Sequence, residues 1–240
     1  MKITAFNGSP KGKNGNTFIM VDEFLKGAIS VGAEAEQVLL SEKKIHHCIG
    51  CLACWTKTPG KCIFEDDMRE LLPKFDTDFI VFACPVYVDN VTGLMKNFMD
   101  RMIPIADPHF TTDERGESRH VMPPNYKFPK LVIISNCGFP EQSHFEVFKV
   151  LFKRVARNMH TEVAAEIYRG EGELMKMKSL LLKPFQYKYK KLLQRCGKEV
   201  MTDGRLSDET IEKLEKPIVP PDQYSKHANK HWDRELAKLK

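Results

Sequence analysis

The 240-residue chain has no apolar run long enough to cross a membrane. Its best, Phe79 to Val88, is about half of the roughly 18 residues that a span requires. Met1-Lys2 leads straight into a short strand-like run without the apolar core of a secretion signal, so the expected location is cytoplasmic, with no membrane partner. A disulfide scaffold is excluded with it, because a reducing compartment keeps thiols free. The seven cysteines therefore point to metal or redox chemistry. Repeats and low-complexity segments are absent. A hydrophobic fraction of 42% with 29% charged residues excludes a disordered chain and supplies a core for one large domain.

Residues 1–169 carry no net charge, with 21 Lys/Arg against 21 Asp/Glu. The formal charge of +5 comes from residues 170–240, which hold 16 basic and 11 acidic residues. Acidic residues are missing altogether from Lys176 to Arg195, where seven basic residues are interleaved with Phe185, Tyr187 and Tyr189. Such a run can attract an anion, nucleic acid or a nucleotide phosphate. The reading taken is a basic, solvated helix face whose apolar side packs on the body, with no nucleic-acid partner.

Five strands are expected at Lys2–Phe6, Ala35–Leu40, Phe79–Ala83, Leu131–Ser135 and Glu162–Ile167, the middle ones apolar enough for a sheet covered on both faces. Helical spacing fills the intervals at Thr17–Val31, Asp66–Phe75, Val91–Ile103 and Ser143–Met159. Alternation of this kind argues for a parallel α/β sheet with right-handed crossovers. The domain is expected over residues 1–170, followed at 171–240 by a helical C-terminal extension and arm. In that extension Ser207 is a candidate N-cap for a helix through Leu214, Pro217–Tyr224 reads as an extended arm, and His227–Lys240 reads as a last helix. Ala106–Pro129, with four prolines, is a long polar loop suited to a lid or an assembly contact.

The first strand ends in Phe6-Asn7-Gly8-Ser9-Pro10-Lys11-Gly12-Lys13-Asn14-Gly15-Asn16-Thr17, and a helix begins at once. This is where an open α/β sheet binds anions, on free backbone N–H groups and the positive end of a helix. The spacing is neither that of a Walker loop nor that of a dinucleotide fingerprint. Ser9, Asn16 and Thr17 instead offer short hydroxyl and amide groups to a terminal phosphate.

Asn7-Gly8-Ser9-Pro10 followed by Gly15-Asn16-Thr17 resembles the FMN phosphate loop of the NAD(P)H-dependent FMN reductases and iron–sulfur flavoproteins, a branch of the flavodoxin-like fold. Pro85-Val86-Tyr87 with Gly93 to Arg101 resembles that family's loop after the third strand, and Asn136-Cys137-Gly138-Phe139 resembles its third flavin loop. The resemblance implies a flavodoxin-like three-layer sandwich with a five-stranded parallel sheet of order 2-1-3-4-5. It also implies that Ser9, Lys11, Asn16 and Thr17 hold the FMN phosphate, while Pro85, Val86 and Tyr87 support one edge of the flavin ring and Cys137 and Gly138 another. Lys96, Asp100 and Arg101 are read as a helix surface with i, i+4 pairing.

Cys48, Cys51, Cys54 and Cys62 follow a C-x2-C-x2-C-x7-C pattern. Three cysteines at steps of three gather thiolates around one small volume, which suits an iron–sulfur cubane; structural zinc and plain structural thiols are the alternatives. The resemblance sharpens the first, a [4Fe–4S] cluster. Cys84, Cys137 and Cys196 read as buried small residues. The function implied is an FMN-dependent oxidoreductase that takes a hydride from NADH or NADPH and passes electrons to a small-molecule or protein acceptor, with no acid–base residue required. The rival is a flavodoxin-like electron carrier without hydride chemistry. A homodimer or homotetramer is expected by analogy with the family.

Overall fold

A computed structural model of the chain describes residues 1–123 and 126–239. Pro124, one of the four prolines of the long polar segment, and Lys240, the end of the expected last helix, lie outside the described residues. A parallel five-stranded sheet is built from β1 (Lys2–Asn7), β2 (Glu34–Leu39), β3 (Phe79–Pro85), β6 (Lys130–Asn136) and β7 (Val163–Arg169), in the order β2-β1-β3-β6-β7. This is the expected 2-1-3-4-5 order, with an antiparallel pair, β4 (Phe110–Thr112) and β5 (Ser118–His120), inserted between the third and fourth strands. That pair gives the long polar segment 106–129, expected as a loop, a short hairpin of its own. Arg157 fixes its turn by bonding Asp113 at 2.7 Å and the Glu117 carbonyl at 2.9 Å.

Alternation along the buried strands sorts side chains into two layers. Ile3, Ala5, Val81, Ala83, Val132 and Ile134 face α1 (Asn16–Ile29). Phe6, Ile80, Phe82, Leu131 and Ile133 face the other way, onto α3 (Met68–Leu71), α4 (Gly93–Asp100) and α5 (Glu146–Asn158), where Phe75, Phe98, Phe148 and Phe152 fill the space. Each buried side chain of this size contributes about 1.5–3 kcal/mol. A further short helix, α2 (Ala53–Thr56), lies within the cysteine segment.

The layer over α1 is completed by α6 (Lys183–Asp203), which buries Tyr189, Leu193, Cys196, Val200 and Met201 and leaves most of its lysines in solvent, as the charge pattern implies. The two helices touch backbone to backbone. A Cβ at Gly27 would collide with the Gln194 carbonyl, and one at Gly197 would strike the Phe24 carbonyl and lie 2.8 Å from the Ala28 nitrogen. Ser207 caps α7 (Asp208–Glu215) by accepting from the Thr210 amide. The expected extended arm is shorter than predicted: Pro221 occupies the first turn of α8 (Pro221–Ala237), where a missing N–H costs nothing.

Candidate functional site

The order of the sheet reverses between β1 and β3, and the segments leaving β1, β3 and β6 meet there. Beyond β1, the Gly8 amide donates to the Ala83 carbonyl at 2.7 Å. The buried Thr92 hydroxyl donates to the Gly8 carbonyl at 2.7 Å and accepts from the Met95 amide, capping α4. No side chain fits at Gly8, because a Cβ would lie 2.8 Å from Cβ of Met95. The Asn7 side-chain oxygen accepts from the Ser9 amide at 2.9 Å and turns the chain outward. Gly12, at φ +49°, and Gly15, whose Cβ would meet Oγ of Ser9 at 2.7 Å, complete the turn into α1. α1 has no side-chain N-cap, so its positive end is left to a ligand.

From β3, the Val86 amide donates to the Asn136 carbonyl at 2.9 Å, tying the second segment to the third. Tyr87 and Asn90 exchange backbone bonds of 2.9 and 3.1 Å across a tight turn. Its central residues, Val88 and Asp89, hold φ of 48° and 56°. A left-handed backbone costs an ordinary residue roughly 1–2 kcal/mol, and Val88 is almost fully exposed at the tip. Beyond β6, the Asn136 amide donates to the Thr17 hydroxyl at 2.8 Å, and the Cys137 carbonyl accepts from the Gly172 amide at 2.9 Å. Burial pushes the Cys137 thiol up to about 11, which keeps it protonated at neutral pH.

A cleft results, and Ser9, Lys11, Asn16, Thr17, Pro85, Val86, Tyr87, Cys137 and Gly138 all line it. Asn136, Gly172 and Glu173 line it too, none of them among the residues expected to hold the cofactor. Asn136 opens the segment Asn136-Cys137-Gly138-Phe139 that the resemblance singled out, without a role of its own there. Gly172 and Glu173 follow β7, where the sequence turns toward the basic helix and carries no ligand signal beyond Gly170-x-Gly172. Lys11 lies 3.9 Å from Glu173, with both side chains mostly exposed, so this pair adds little stability. Buried Oδ1 of Asn16 and Nδ2 of Asn7 lack protein partners. Orphaned polar atoms, glycines without room for a Cβ and an uncapped helix start together fit a phosphate-bearing ligand. Larger hollows elsewhere, beside β7 and α7 and at the opposite end of the sheet, have no such turn.

The cysteine segment lies outside this cleft's lining. Cys48 and Cys51 are exposed, Cys54 is buried and Cys62 is half-buried. Burial raises the Cys54 thiol, and Cys62, Cys51 and Cys48 add to that in the same direction. Four thiols are the right donor chemistry for a cluster. Among the described residues, however, no three Cys, His, Asp or Glu side chains converge closely enough to hold a metal ion. The side chains as they stand do not form a cage.

What holds the segment is a residue misread from the sequence. Lys96 and Asp100 do pair on the surface at 2.5 Å, as expected of i and i+4 neighbours. Arg101 does not belong with them, being 2% exposed. Its guanidinium donates to both carboxylate oxygens of Asp66 at 2.6 and 3.1 Å and to the His46 carbonyl at 2.6 Å, and it lies over the Phe64 ring at 5.2 Å. One buried cation thereby binds both ends of the loop that carries the cysteines. Asn97 adds a bond to the Ile45 carbonyl at 2.8 Å, and Trp55 docks the middle of the loop by donating to the Ala106 carbonyl at 2.8 Å.

The family model of NADPH-dependent FMN reductase matches residues 1–114. An iron–sulfur flavoprotein of Archaeoglobus fulgidus is 45% identical over 143 residues, covering 59% of this chain and 58% of its own. An iron–sulfur flavoprotein of Methanocaldococcus jannaschii is 39% identical over 106 residues, covering 44% and 53%. The chain thus spans somewhat over half the length of these curated relatives. Among solved structures, an FMN-dependent NADH-azoreductase from Bacillus anthracis in complex with FMN superposes with a TM-score of 0.60 at 15% identity, over 84% of this chain and 99% of that one. An NAD(P)H:quinone oxidoreductase from Methanothermobacter marburgensis gives 0.59 at 11% identity, over 83% and 96%. These likenesses show the flavodoxin-like fold.

Proposed function

We propose that this chain, whose residues 1–114 belong to the NADPH-dependent FMN reductase family, is an FMN-dependent NAD(P)H oxidoreductase serving a small-molecule or protein acceptor. The observation that carries the reading is the convergence of three segments, widely separated in sequence, on one cleft at the switch point of the sheet. FMN, when bound, supplies a ring that accepts a hydride and passes electrons on. Ser9, Asn16 and Thr17, with the first amides of α1, hold its phosphate, and Lys11 adds positive charge. Pro85, Val86 and Tyr87 support one side of the ring, and Asn136, Cys137 and Gly138 support the other. Tyr87 is held at the rim by its two bonds to Asn90, half-exposed, where it limits access by the nicotinamide and the acceptor.

Membership in a branch whose relatives are named iron–sulfur flavoproteins favours a second cofactor, a [4Fe–4S] cluster on Cys48, Cys51, Cys54 and Cys62. The cage would have to be assembled by movement of side chains. A homodimer or homotetramer is supported by α8, which buries none of its own residues and exposes Trp232 and Leu236. No described helix is long and apolar enough to cross a membrane.

Purified protein is expected to take up one FMN per chain, read by quenching of flavin fluorescence; a protein that takes up none contradicts the proposal. Iron and sulfide assays on anaerobically reconstituted protein decide the second cofactor. About four of each per chain, abolished by Cys51→Ser with FMN uptake retained, supports the cluster. Their absence leaves structural zinc or plain structural thiols as the role of the four cysteines.

A further inference from the structure

The basic run from Lys176 to Arg195 is not accounted for by the core of α6 alone, because its first residue lies apart from the helix. Lys176 follows the turn Gly172–Met175, and its ammonium donates to the Asn14 carbonyl, inside the loop between β1 and α1. The same turn supplies Gly172 and Glu173 to the cleft. An ammonium has three donors and this contact uses one of them. The side chain is exposed, so the other two remain available to an anion at the loop.

The turn is held in place from behind. Glu171 is fully buried at φ 55°, a conformation that an ordinary residue occupies only when its surroundings fix it. Its carboxylate accepts from the Ile218 amide at 2.6 Å and the Val219 amide at 3.2 Å. Its neighbour across the bend, Arg169, is equally buried and donates to the Leu214 and Lys216 carbonyls. Residues 214–219 are thereby fastened to the end of β7, directly before the turn that carries Lys176. The Gly172 amide bonds to Cys137 and the Glu173 carboxylate faces Lys11. Glu173 lines the cleft among the described residues, so a phosphate there gains from a second cation beside Lys11.

We propose that Lys176 is a further FMN-phosphate-binding residue, placed against the loop by the Glu171 anchor of the C-terminal arm. This rests on the FMN reading above. The test compares FMN with riboflavin, which lacks the phosphate, by fluorescence titration of full-length wild-type protein and of Lys176→Met, Lys176→Arg and Glu171→Gln. Lys176→Met is expected to weaken FMN about threefold to tenfold, the range for one charge-assisted contact at an exposed site, with a larger loss at low salt. Riboflavin affinity and melting temperature should stay unchanged, Lys176→Arg should restore FMN, and Glu171→Gln should weaken FMN more than riboflavin. Lys176→Met within twofold of wild type overturns the proposal. A parallel loss of FMN, riboflavin and thermal stability overturns it as well, since the residue is then structural only. Wild-type protein that binds riboflavin and FMN equally, or neither, fails the FMN reading itself and takes this proposal with it.

Discussion

Arg101→Met is expected to destabilise the fold by about 3–5 kcal/mol at neutral pH, the cost of leaving one member of a buried ion pair alone. The Arg101 and Asp66 side chains are 1% and 2% exposed, so solvent does not screen the loss. Burial alone would raise the Asp66 carboxyl, but the Arg101 bonds and the His46 and Met68 amides outweigh it and hold the carboxyl below its usual range. A depressed carboxyl contributes stability above its unfolded value, near 3.9, and that contribution is lost as pH falls through the lower folded value. In the variant a protonated Asp66 is no longer an uncompensated charge, so the penalty should shrink in acid. Urea unfolding at pH 7 and near pH 4 measures both, and a loss under about 1 kcal/mol at pH 7 would contradict the clamp. Loosening of the loop should also speed reaction of the buried Cys54 thiol with a disulfide reagent.

Thr17→Ala should lower FMN affinity by roughly tenfold to a hundredfold, the worth of one hydrogen bond to a charged group at about 1.5–3 kcal/mol. Thr17 is buried, and its oxygen accepts from Asn136, which leaves its own proton to donate to a phosphate oxygen. The substitution also orphans the Asn136 amide, so riboflavin should lose some affinity, though much less than FMN. Ser9→Ala should act on the phosphate contact without that side effect. Equal losses for both ligands would move the phosphate away from this loop.

The five strands and the turn after the first were legible because each depends on local pattern, whereas the strand order and the nine residues that line the cleft came from the family resemblance. An apolar run marks a buried strand, and a Gly/Ser/Asn/Thr turn between strand and helix marks an anion site wherever the rest of the chain lies. Arg101 was illegible for the opposite reason. Its partner, Asp66, is 35 residues away, and nothing in the local spacing of α4 separates a buried guanidinium from the exposed Lys96–Asp100 pair beside it. Glu171 and Glu173 were hidden likewise, since their roles come from contacts with residues 218–219 and with Lys11. The arm at Pro217–Tyr224 was overextended because its prolines were read as breakers, whereas Pro221 starts a helix.

Hydride acceptance in this cleft is read directly by anaerobic mixing of the FMN-loaded protein with NADPH or NADH. The nicotinamide must approach within about 3–3.5 Å of the ring, which an open face beside Tyr87 permits. Flavin absorbance should bleach within a catalytic turnover time with at least one of the two nucleotides and recover when an acceptor is added. Bleaching by dithionite but by neither nucleotide would leave an electron carrier in place of the oxidoreductase.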